Sequence, residues 1–262
     1  MTRWWVNPAG HGIVAGADDT SLRDNQVTGA NRAGATATYG VAVVPCVSQP
    51  PSAAPMGGNM RTGVYLAHPR PGSFNHAVFG AVVEELRGRG VDVVAHDLCA
   101  EGFDPSLTAR ETGTVEAASP ARDPQVASHR AEVADLDALV FIHPNWWGMP
   151  PAVLTGWVQR VLAPGVAYKL GAAEGEPAGL LKATRALVLN TSDTPADREE
   201  REFGDPLHNV WAACVLPYVG IREVRRIVFR TVTDSSGEER AAWLEQARRH
   251  AASLLEREDP DR

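Results

Sequence analysis

The 262-residue chain has few cysteines, and they are not arranged for cross-linking or for a thiolate metal site. The three, Cys46, Cys99 and Cys214, are an odd number and show no Cys-x-x-Cys spacing. This argues against a disulfide framework and against a zinc site built from cysteines. The reducing cytoplasm fits this pattern best, with the thiols serving as small buried apolar side chains.

Long apolar runs and an excess of positive charge are also missing. No stretch of about 18 apolar residues occurs, so the sequence predicts no membrane-spanning segment, and the N-terminus lacks the pattern of a secretory signal. Lysine and arginine number 25 against 32 acidic residues, which gives a net charge of -7. This balance removes the usual attraction to nucleic acid or an anionic membrane and leaves small molecules and other proteins as the expected partners.

Several familiar catalytic motifs are absent as well. The sequence has no Gly-x-x-x-x-Gly-Lys-Ser/Thr phosphate loop, no His-Glu-x-x-His zinc motif and no Gly-x-Ser-x-Gly turn. These absences disfavour an NTPase, a zinc protease and a serine hydrolase. Scattered Ser, His and Asp residues do not count as a catalytic triad until their geometry is known.

Residues 1–59 differ in kind from the remainder of the chain. They contain no Glu and no Lys and are rich in glycine and proline. Such a segment buries too little apolar area to offset its ordering entropy, so we predict a mostly disordered N-terminal extension and one domain over residues 60–262. A biological start at Met56 or Met60, and a docking motif at Trp4-Trp5, are the alternatives for this segment.

From Met60 onward, apolar runs alternate with amphipathic stretches, which is typical of parallel strands joined by crossover helices. Capping patterns at Thr194-Pro195-Ala-Asp197 and at Ser236-Gly-Glu-Glu239 predict two of the helix starts. Five strands and about five helices in roughly 200 residues predict a flavodoxin-like, doubly wound five-stranded parallel sheet of order 2-1-3-4-5. The strands are predicted at 63–67, 92–96, 138–143, 185–190 and 223–231, and two of the helices at 75–89 and 151–162.

In such a sheet, ligands bind beyond the carboxyl ends of the strands, at the switch point between strands 1 and 3. Both loops at this point begin with His-Pro, at His68 and at His143. The first loop ends at a helix N-terminus with Ser73 and Asn75 as candidate caps. This arrangement suits a phosphate, and an ordinary capped helix fits it equally well. His68 is then either a phosphate contact or a hydrogen-bonded residue at the strand end.

The loop after strand 3 carries two adjacent tryptophans, Trp146 and Trp147. Adjacent side chains point in different directions, so at most one of them can easily join the core. One interpretation is a flat aromatic ligand that rests beside both indoles. The other is that Trp147 packs under the following helix.

Three segments of the chain resemble the NAD(P)H:quinone oxidoreductase family of flavoproteins. They are 66–75, 97–105 and 143–168, which read LAHPRPGSFN, DLCAEGFDP and HPNWWGMPPAVLTGWVQRVLAPGVAY. Their order and spacing extend the resemblance over about residues 61–256. The resemblance implies a homodimer that holds FAD or FMN, oxidises NAD(P)H and passes two electrons as hydride through flavin N5 to a quinone or another aromatic acceptor. It implies no metal and no side-chain nucleophile.

The resemblance also implies which residues hold the flavin. Those expected around the phosphate chain are His68, Ser73, Phe74 and Asn75. Those expected along the isoalloxazine ring are Pro144, Asn145, Trp146, Trp147 and Gly148. Trp147 and Tyr168 are the expected walls of the substrate pocket, and Tyr168 is expected to serve its own chain or the other subunit.

The chain departs from the family in the loop after strand 4, where Asn190-Thr191-Ser192-Asp193 stands in place of the usual Thr-Thr-Gly-Gly. We expect Asn190, Thr191 and Ser192 to contact the flavin. Asp193 is expected to point outward into solvent, because it would otherwise repel an anionic reduced flavin. A one-electron carrier, an azo or nitro reductase and a regulatory subunit of a potassium efflux transporter are the alternative functions.

Overall fold

The computed structural model describes residues 60–112, 121–170 and 177–256, so the predicted N-terminal extension lies outside the described residues. The strands are β1 (Arg61–Leu66), β2 (Asp92–Asp97), β3 (Ala138–Pro144), β4 (Tyr168–Lys169), β5 (Ala178–Gly179), β6 (Arg185–Ser192) and β7 (Glu223–Arg230). Five of them form a parallel sheet of order β2-β1-β3-β6-β7. This order confirms the predicted flavodoxin-like sheet, since β4 and β5 pair antiparallel with each other and are not part of it.

Helices lie between the strands of the sheet along the chain, and a last helix follows β7. They are α1 (Phe74–Gly88), α2 (Pro124–Ala134), α3 (Ala152–Val161), α4 (Ala196–Arg198), α5 (Pro206–His208), α6 (Leu216–Tyr218) and α7 (Gly237–Ser253). Two π-helical turns, π1 (Glu199–Phe203) and π2 (Asn209–Val215), lie between the short helices of the β6 to β7 connection. Within the described ranges, no helix combines the length and the apolar character needed to cross a membrane.

Apolar side chains cover both faces of the sheet, which explains why β1, β3 and β6 are almost continuously buried. On one face, α1 and α7 pack over residues such as Val64, Leu66 and Phe229. On the other face, α2, α3 and the π-helical segment pack over Tyr65 and Phe141. The two layers hold the carboxyl ends of β1, β3 and β6 side by side.

The capping predictions have different outcomes. Ser236 and Glu239 form the predicted capping box at the start of α7. The prediction that Thr194 caps a helix with Pro195 as its first residue is wrong, because Pro195 itself takes the N-cap position of α4. The reason is that β6 runs on to Ser192, whose Oγ accepts a hydrogen bond from the Thr194 N–H at 3.1 Å.

Candidate active site

A cleft of about 520 Å³ lies at the carboxyl edge of the sheet, where the loops after β1, β3 and β6 meet. Its size falls in the range of about 300–1,000 Å³ that is usual for small-molecule sites. All of the predicted flavin-binding residues except Asn190 line it: His68, Ser73, Phe74, Asn75, Pro144, Asn145, Trp146, Trp147, Gly148, Thr191 and Ser192. The fold therefore brings together residues that are far apart in the sequence.

One end of the cleft is formed by the start of α1. Ser73 is the N-cap, and its side chain accepts from the His76 N–H. Asn75 donates from Nδ2 to Thr191 Oγ1 at 3.0 Å, which ties α1 to the end of β6. The first N–H groups of a helix have no partner within the helix, so this end is suited to an anion.

His68 lies beside this helix start. Its Nδ1 accepts from the Arg70 N–H at 3.1 Å, and its ring lies 5.8 Å from that of Trp146. Burial lowers the pKa of His68, and this effect outweighs the backbone hydrogen bond at Arg70. A neutral His68 is thus both a hydrogen-bonded residue at the strand end and a part of the cleft lining.

The two tryptophans of the loop after β3 also line the cleft, and neither belongs to the core. Trp147 is 97% exposed, and Trp146 is 43% exposed. The interpretation in which Trp147 packs under the following helix is therefore wrong. Its backbone has a φ of 57°, a left-handed conformation that is uncommon for a bulky residue.

Hydrogen bonds hold this loop in its unusual shape. The Asn145 N–H donates to Thr191 O at 2.7 Å, and Asn145 Oδ1 accepts from the Gly148 N–H at 3.0 Å. Gly148 has a φ of 73°, and a Cβ at this position would lie 3.0 Å from Pro206 Cγ. Position 148 therefore requires glycine for its backbone conformation and for its approach to Pro206.

Sequence reasoning missed Glu199, a buried carboxylate that also lines the cleft. Its Oε1 accepts from Asn145 Nδ2 at 2.6 Å, and its Oε2 pairs with Arg230 Nη1. Both polar atoms of the Asn145 side chain, Oδ1 and Nδ2, are thus hydrogen-bonded. Glu199 stands in a run of charged residues that reads as a solvated helix face, so the sequence carries no signal of its burial.

The remaining wall of the cleft comes from π1 and the start of α5, which sequence reasoning also missed. Gly204 and Asp205 have φ values of 64° and 42°, and Pro206 follows at the first helical position. Gly-Asp-Pro is a readable signal for a helix stop followed by a new start. The cleft-lining residues that were not predicted are Arg70, Asp193, Thr194, Glu199, Phe203, Pro206, Val232 and Thr233.

Asn190 and Tyr168 differ in position from their predictions, whereas Asp193 is exposed as expected. Asn190 is buried inside β6, where its Oδ1 accepts from Arg226 Nε at 2.9 Å, so the prediction that it lines the site is wrong. The strand continues two residues beyond the predicted end, and this moves the tip to Thr191 and Ser192. Asp193 is exposed at the rim, with Oδ1 accepting from the Thr233 N–H at 2.7 Å.

Tyr168 lies in the core rather than in the cleft of its own chain. It is 2% exposed, and its ring contacts Tyr218 edge to face with the centroids 4.8 Å apart. Burial raises the pKa of the Tyr168 hydroxyl to about 12. A role as the pocket wall of another subunit stays a prediction.

The second His-Pro histidine, His143, is a structural residue. It is fully buried, and its Nε2 accepts from Trp211 Nε1 at 3.0 Å. Its Nδ1 is 2.8 Å from Pro144 O and therefore carries the proton of a neutral ring. Burial lowers the pKa of His143 to about 4. Its hydrogen bond with Trp211 therefore anchors the end of β3 in the core.

The family described as flavodoxin-like fold matches residues 60–255 of the chain. NAD(P)H dehydrogenase (quinone) 1 of Cavia porcellus is 33% identical over 127 residues, which cover 43% of this chain and 46% of that protein. The alignment with this relative thus spans about half of its length. An uncharacterized NAD(P)H oxidoreductase of Haemophilus influenzae is 30% identical over 195 residues, which cover 73% of this chain and 94% of that protein.

The fold is also similar to that of a solved quinone oxidoreductase. The NAD(P)H:quinone oxidoreductase from Methanothermobacter marburgensis superimposes with a TM-score of 0.66 at 26% identity. The superposition covers 77% of this chain and 99% of that chain. The similarity therefore includes the whole of that neighbour.

Proposed function

The chain belongs to the NAD(P)H:quinone oxidoreductase family of flavodoxin-like proteins, and from this premise we propose that it is a flavin-dependent NAD(P)H dehydrogenase. Its acceptor would be a quinone or a similar aromatic molecule. One observation carries the proposal: a single cleft joins an anion-suited helix start to exposed indole rings. This combination matches a ligand that has a phosphate at one end and a planar ring at the other.

The residues present fit a flavin. Backbone N–H groups in the first turn of α1, beside Ser73 and Asn75, supply hydrogen-bond donors where a phosphate would lie. Trp146 and Trp147 supply apolar aromatic surface where the ring would lie. The same features would serve FAD and FMN, and chromatography of the extracted flavin distinguishes the two.

When bound, the flavin would supply the two-electron chemistry between NAD(P)H and the acceptor. The chain's own part is to bind and orient. Asn145, held by Glu199 and Gly148, keeps the loop after β3 in one conformation before a ligand arrives. Such preorganisation reduces the entropic cost of bringing donor and acceptor to contact distance.

We further propose that a second copy of the chain completes the site. Large apolar side chains are exposed around the mouth of the cleft, at Trp147, Met149 and Phe203. A homodimer would cover them and would form a closed pocket for the acceptor. Sedimentation equilibrium of the purified protein checks this, and a monomer at micromolar concentration contradicts it.

The function is tested by purifying the protein, extracting any bound flavin for chromatography and measuring the oxidation of NADH and NADPH with menadione as acceptor. We expect a yellow protein whose turnover requires flavin. A colourless protein that stays inert after incubation with FAD and with FMN contradicts the proposal. Flavin potentials that favour one-electron transfer would instead indicate a carrier, and co-purification with membranes would indicate a transporter subunit.

A further inference from the structure

Three side chains form a hydrogen-bonded chain that leads away from the cleft. Ser73 Oγ lies 2.8 Å from His76 Nδ1, and His76 Nε2 lies 3.0 Å from Asp97 Oδ2. Ser73 lines the cleft and is 3% exposed, while Asp97 stands at the end of β2. The chain thus connects the anion-suited end of the cleft to a carboxylate on the neighbouring strand.

The hydrogen-bond partners fix where the protons lie. A carboxylate can only accept, so His76 Nε2 carries a proton that it donates to Asp97. In the neutral ring, Nδ1 is then an acceptor, and the Ser73 hydroxyl donates to it. The same oxygen also caps α1 by accepting from the His76 N–H. With His76 neutral, Ser73 therefore presents lone pairs, and not a proton, to the cleft.

Protonation of His76 reverses this arrangement. An imidazolium donates from both nitrogens, so Nδ1–H would donate to Ser73 Oγ. The Ser73 hydroxyl proton would then be free to point into the cleft. The cleft would gain a donor and a nearby positive charge, and both favour a bound anion.

The charged and titratable groups around His76 are compatible with this role. From β2 and the turn that follows it, Asp97 faces the ring, and Cys99 donates its backbone N–H to Asp97 Oδ1 at 3.2 Å. From the loop after β1, the His68 ring lies 6.2 Å away, with Arg70 beside it. Burial lowers the pKa of His68, and of the two rings it is His76 that is hydrogen-bonded to a carboxylate.

These three residues do not form the nucleophile of a serine hydrolase. In such enzymes the histidine Nε2 faces the serine and Nδ1 faces the carboxylate. Here the two nitrogens are exchanged, and Ser73 is engaged as a helix cap. The geometry is better suited to moving a proton than to attacking a substrate.

We propose that His76 couples binding of the flavin phosphate to the uptake of a proton, through Ser73 on one side and Asp97 on the other. The inference rests on the proposed function, because it concerns the phosphate of that flavin. By linkage, the affinity for flavin falls as the pH rises through the range in which the complex holds this proton and the flavin-free protein does not. The limiting slope is about tenfold in Kd for each pH unit.

The test is calorimetric titration of the flavin-free protein with FMN and with FAD in two buffers of different ionisation enthalpy. The wild type is compared with His76→Asn, in which an amide replaces Nδ1 but cannot be protonated. His250→Asn, a histidine on α7 that does not line the cleft, is the matched control. At a pH of about 7.5, we expect the wild type and the control to take up more protons per flavin than His76→Asn, with one proton as the upper limit of the difference.

The outcomes separate this inference from the proposed function. If flavin binds and the proton uptake of His76→Asn equals that of the wild type, the coupling is wrong and the proposed function stands. If neither FMN nor FAD binds the wild type, the proposed function fails, and the coupling fails with it. Riboflavin, which lacks the phosphate, should bind without the uptake that depends on His76.

A measurement on the wild type alone covers the case in which the variant does not fold. The chemical shifts of the His76 ring are followed by NMR against pH, with and without bound flavin. The midpoint of the titration should move to higher pH when FMN or FAD is bound and should not move with riboflavin. An unchanged midpoint with a phosphorylated flavin overturns the proposal.

Discussion

Trp147 is the residue whose placement is hardest to explain by folding alone. Its side chain is 97% exposed and its backbone is left-handed, so neither burial nor conformational preference stabilises it there. A ligand that covers the indole would account for it. Its neighbour Trp146, with its ring near His68, gives the same end of the cleft a second aromatic surface.

Replacement of Trp147 by Ala should therefore separate binding from stability. We expect the flavin Kd to rise by about tenfold, in line with aromatic stacking on a planar base, with no change in the melting temperature of the flavin-free protein. Fluorescence titration and thermal unfolding measure the two quantities. Trp147→Phe, which retains a ring, should recover part of the affinity, and an unchanged Kd in Trp147→Ala would show that the indole does not contact the flavin.

Glu199 gives a second test at the residue scale. Its carboxylate is 2% exposed and pairs with Arg230, so Glu199→Ala leaves a partly buried guanidinium without its partner. We expect the free energy of unfolding to fall by about 3 kcal/mol in a urea titration. Glu202→Ala removes exposed pairs with Arg198 and Arg201 and should change it by less than about 0.5 kcal/mol. Equal effects of the two variants would contradict a structural role for the Glu199 pair.

At the scale of elements, the sequence predicted the strands better than the segment between β6 and β7. Continuous apolar runs identify β1, β3 and β6, because only strands covered on both faces have them. Residues 196–218 instead form short helices and π-helical turns with little apolar periodicity. The position of Glu199 depends on that geometry, and no local pattern encodes it.

The helix α2 was missed for a related reason. Few of its side chains are buried, among them Val126, His129 and Val133, so its amphipathic signal is weak. The cap was nevertheless readable, since Asp123 precedes Pro124 at the first helical position. Capping residues were thus more informative here than the apolar pattern.

Gly156 of α3 packs closely against the loop before α2, so one added methyl group at this position should lower the stability of the fold strongly. A Cβ at Gly156 would lie 2.3 Å from Pro105 O, and backbone atoms cannot yield as a flexible side chain can. We expect Gly156→Ala to lower the free energy of unfolding by about 2 kcal/mol or more. Gly80→Ala in α1, with nothing within 4 Å of the new methyl group, should raise it by about 0.5 kcal/mol. Urea unfolding compares the two, and similar values would contradict the packing described here.

Hydrogen bonds between ionisable side chains join β2, the turn that follows it and α2. His96 Nδ1 lies 2.9 Å from Glu101 Oε1, and its Nε2 lies 2.7 Å from Glu132 Oε2. Burial opposes the charged form of His96, but these two hydrogen bonds outweigh it and raise its pKa. Burial likewise opposes ionisation of Glu101, yet hydrogen bonds from His129 and His96 lower its pKa to about 2.

The signs of these shifts predict a window of stability. A raised His96 pKa stabilises the fold below the ordinary histidine value of about 6.5, and this contribution is lost as the pH rises through the folded pKa. A lowered Glu101 pKa stabilises above about pH 4.3, and this contribution is lost as the pH falls towards about 2. The contribution of this network to the free energy of unfolding, measured in urea across pH, should therefore be largest between these limits, while the lowered pKa of buried His143 acts in the opposite direction. His96→Gln should flatten the contribution of the network while exposed His208→Gln does not, and identical profiles would contradict the network.

For the whole molecule, the sequence predicted the fold and the loops that meet at the cleft, because the order of strands in a doubly wound sheet determines which loop tips are neighbours. The buried position of Asn190 could not be predicted, because β6 is two residues longer than expected and Asn190 therefore lies within the strand rather than at its tip. The sequence could not predict the Ser73, His76 and Asp97 chain either. That chain depends on distances of about 3 Å between α1 and β2.

A crystal structure of the protein with bound FMN or FAD tests the central claim most directly. The account predicts that the phosphate lies at the start of α1 beside Ser73 and Asn75, and that the isoalloxazine ring lies along Trp146, Trp147 and Gly148. A flavin bound elsewhere, or a phosphate bound away from α1, would contradict it.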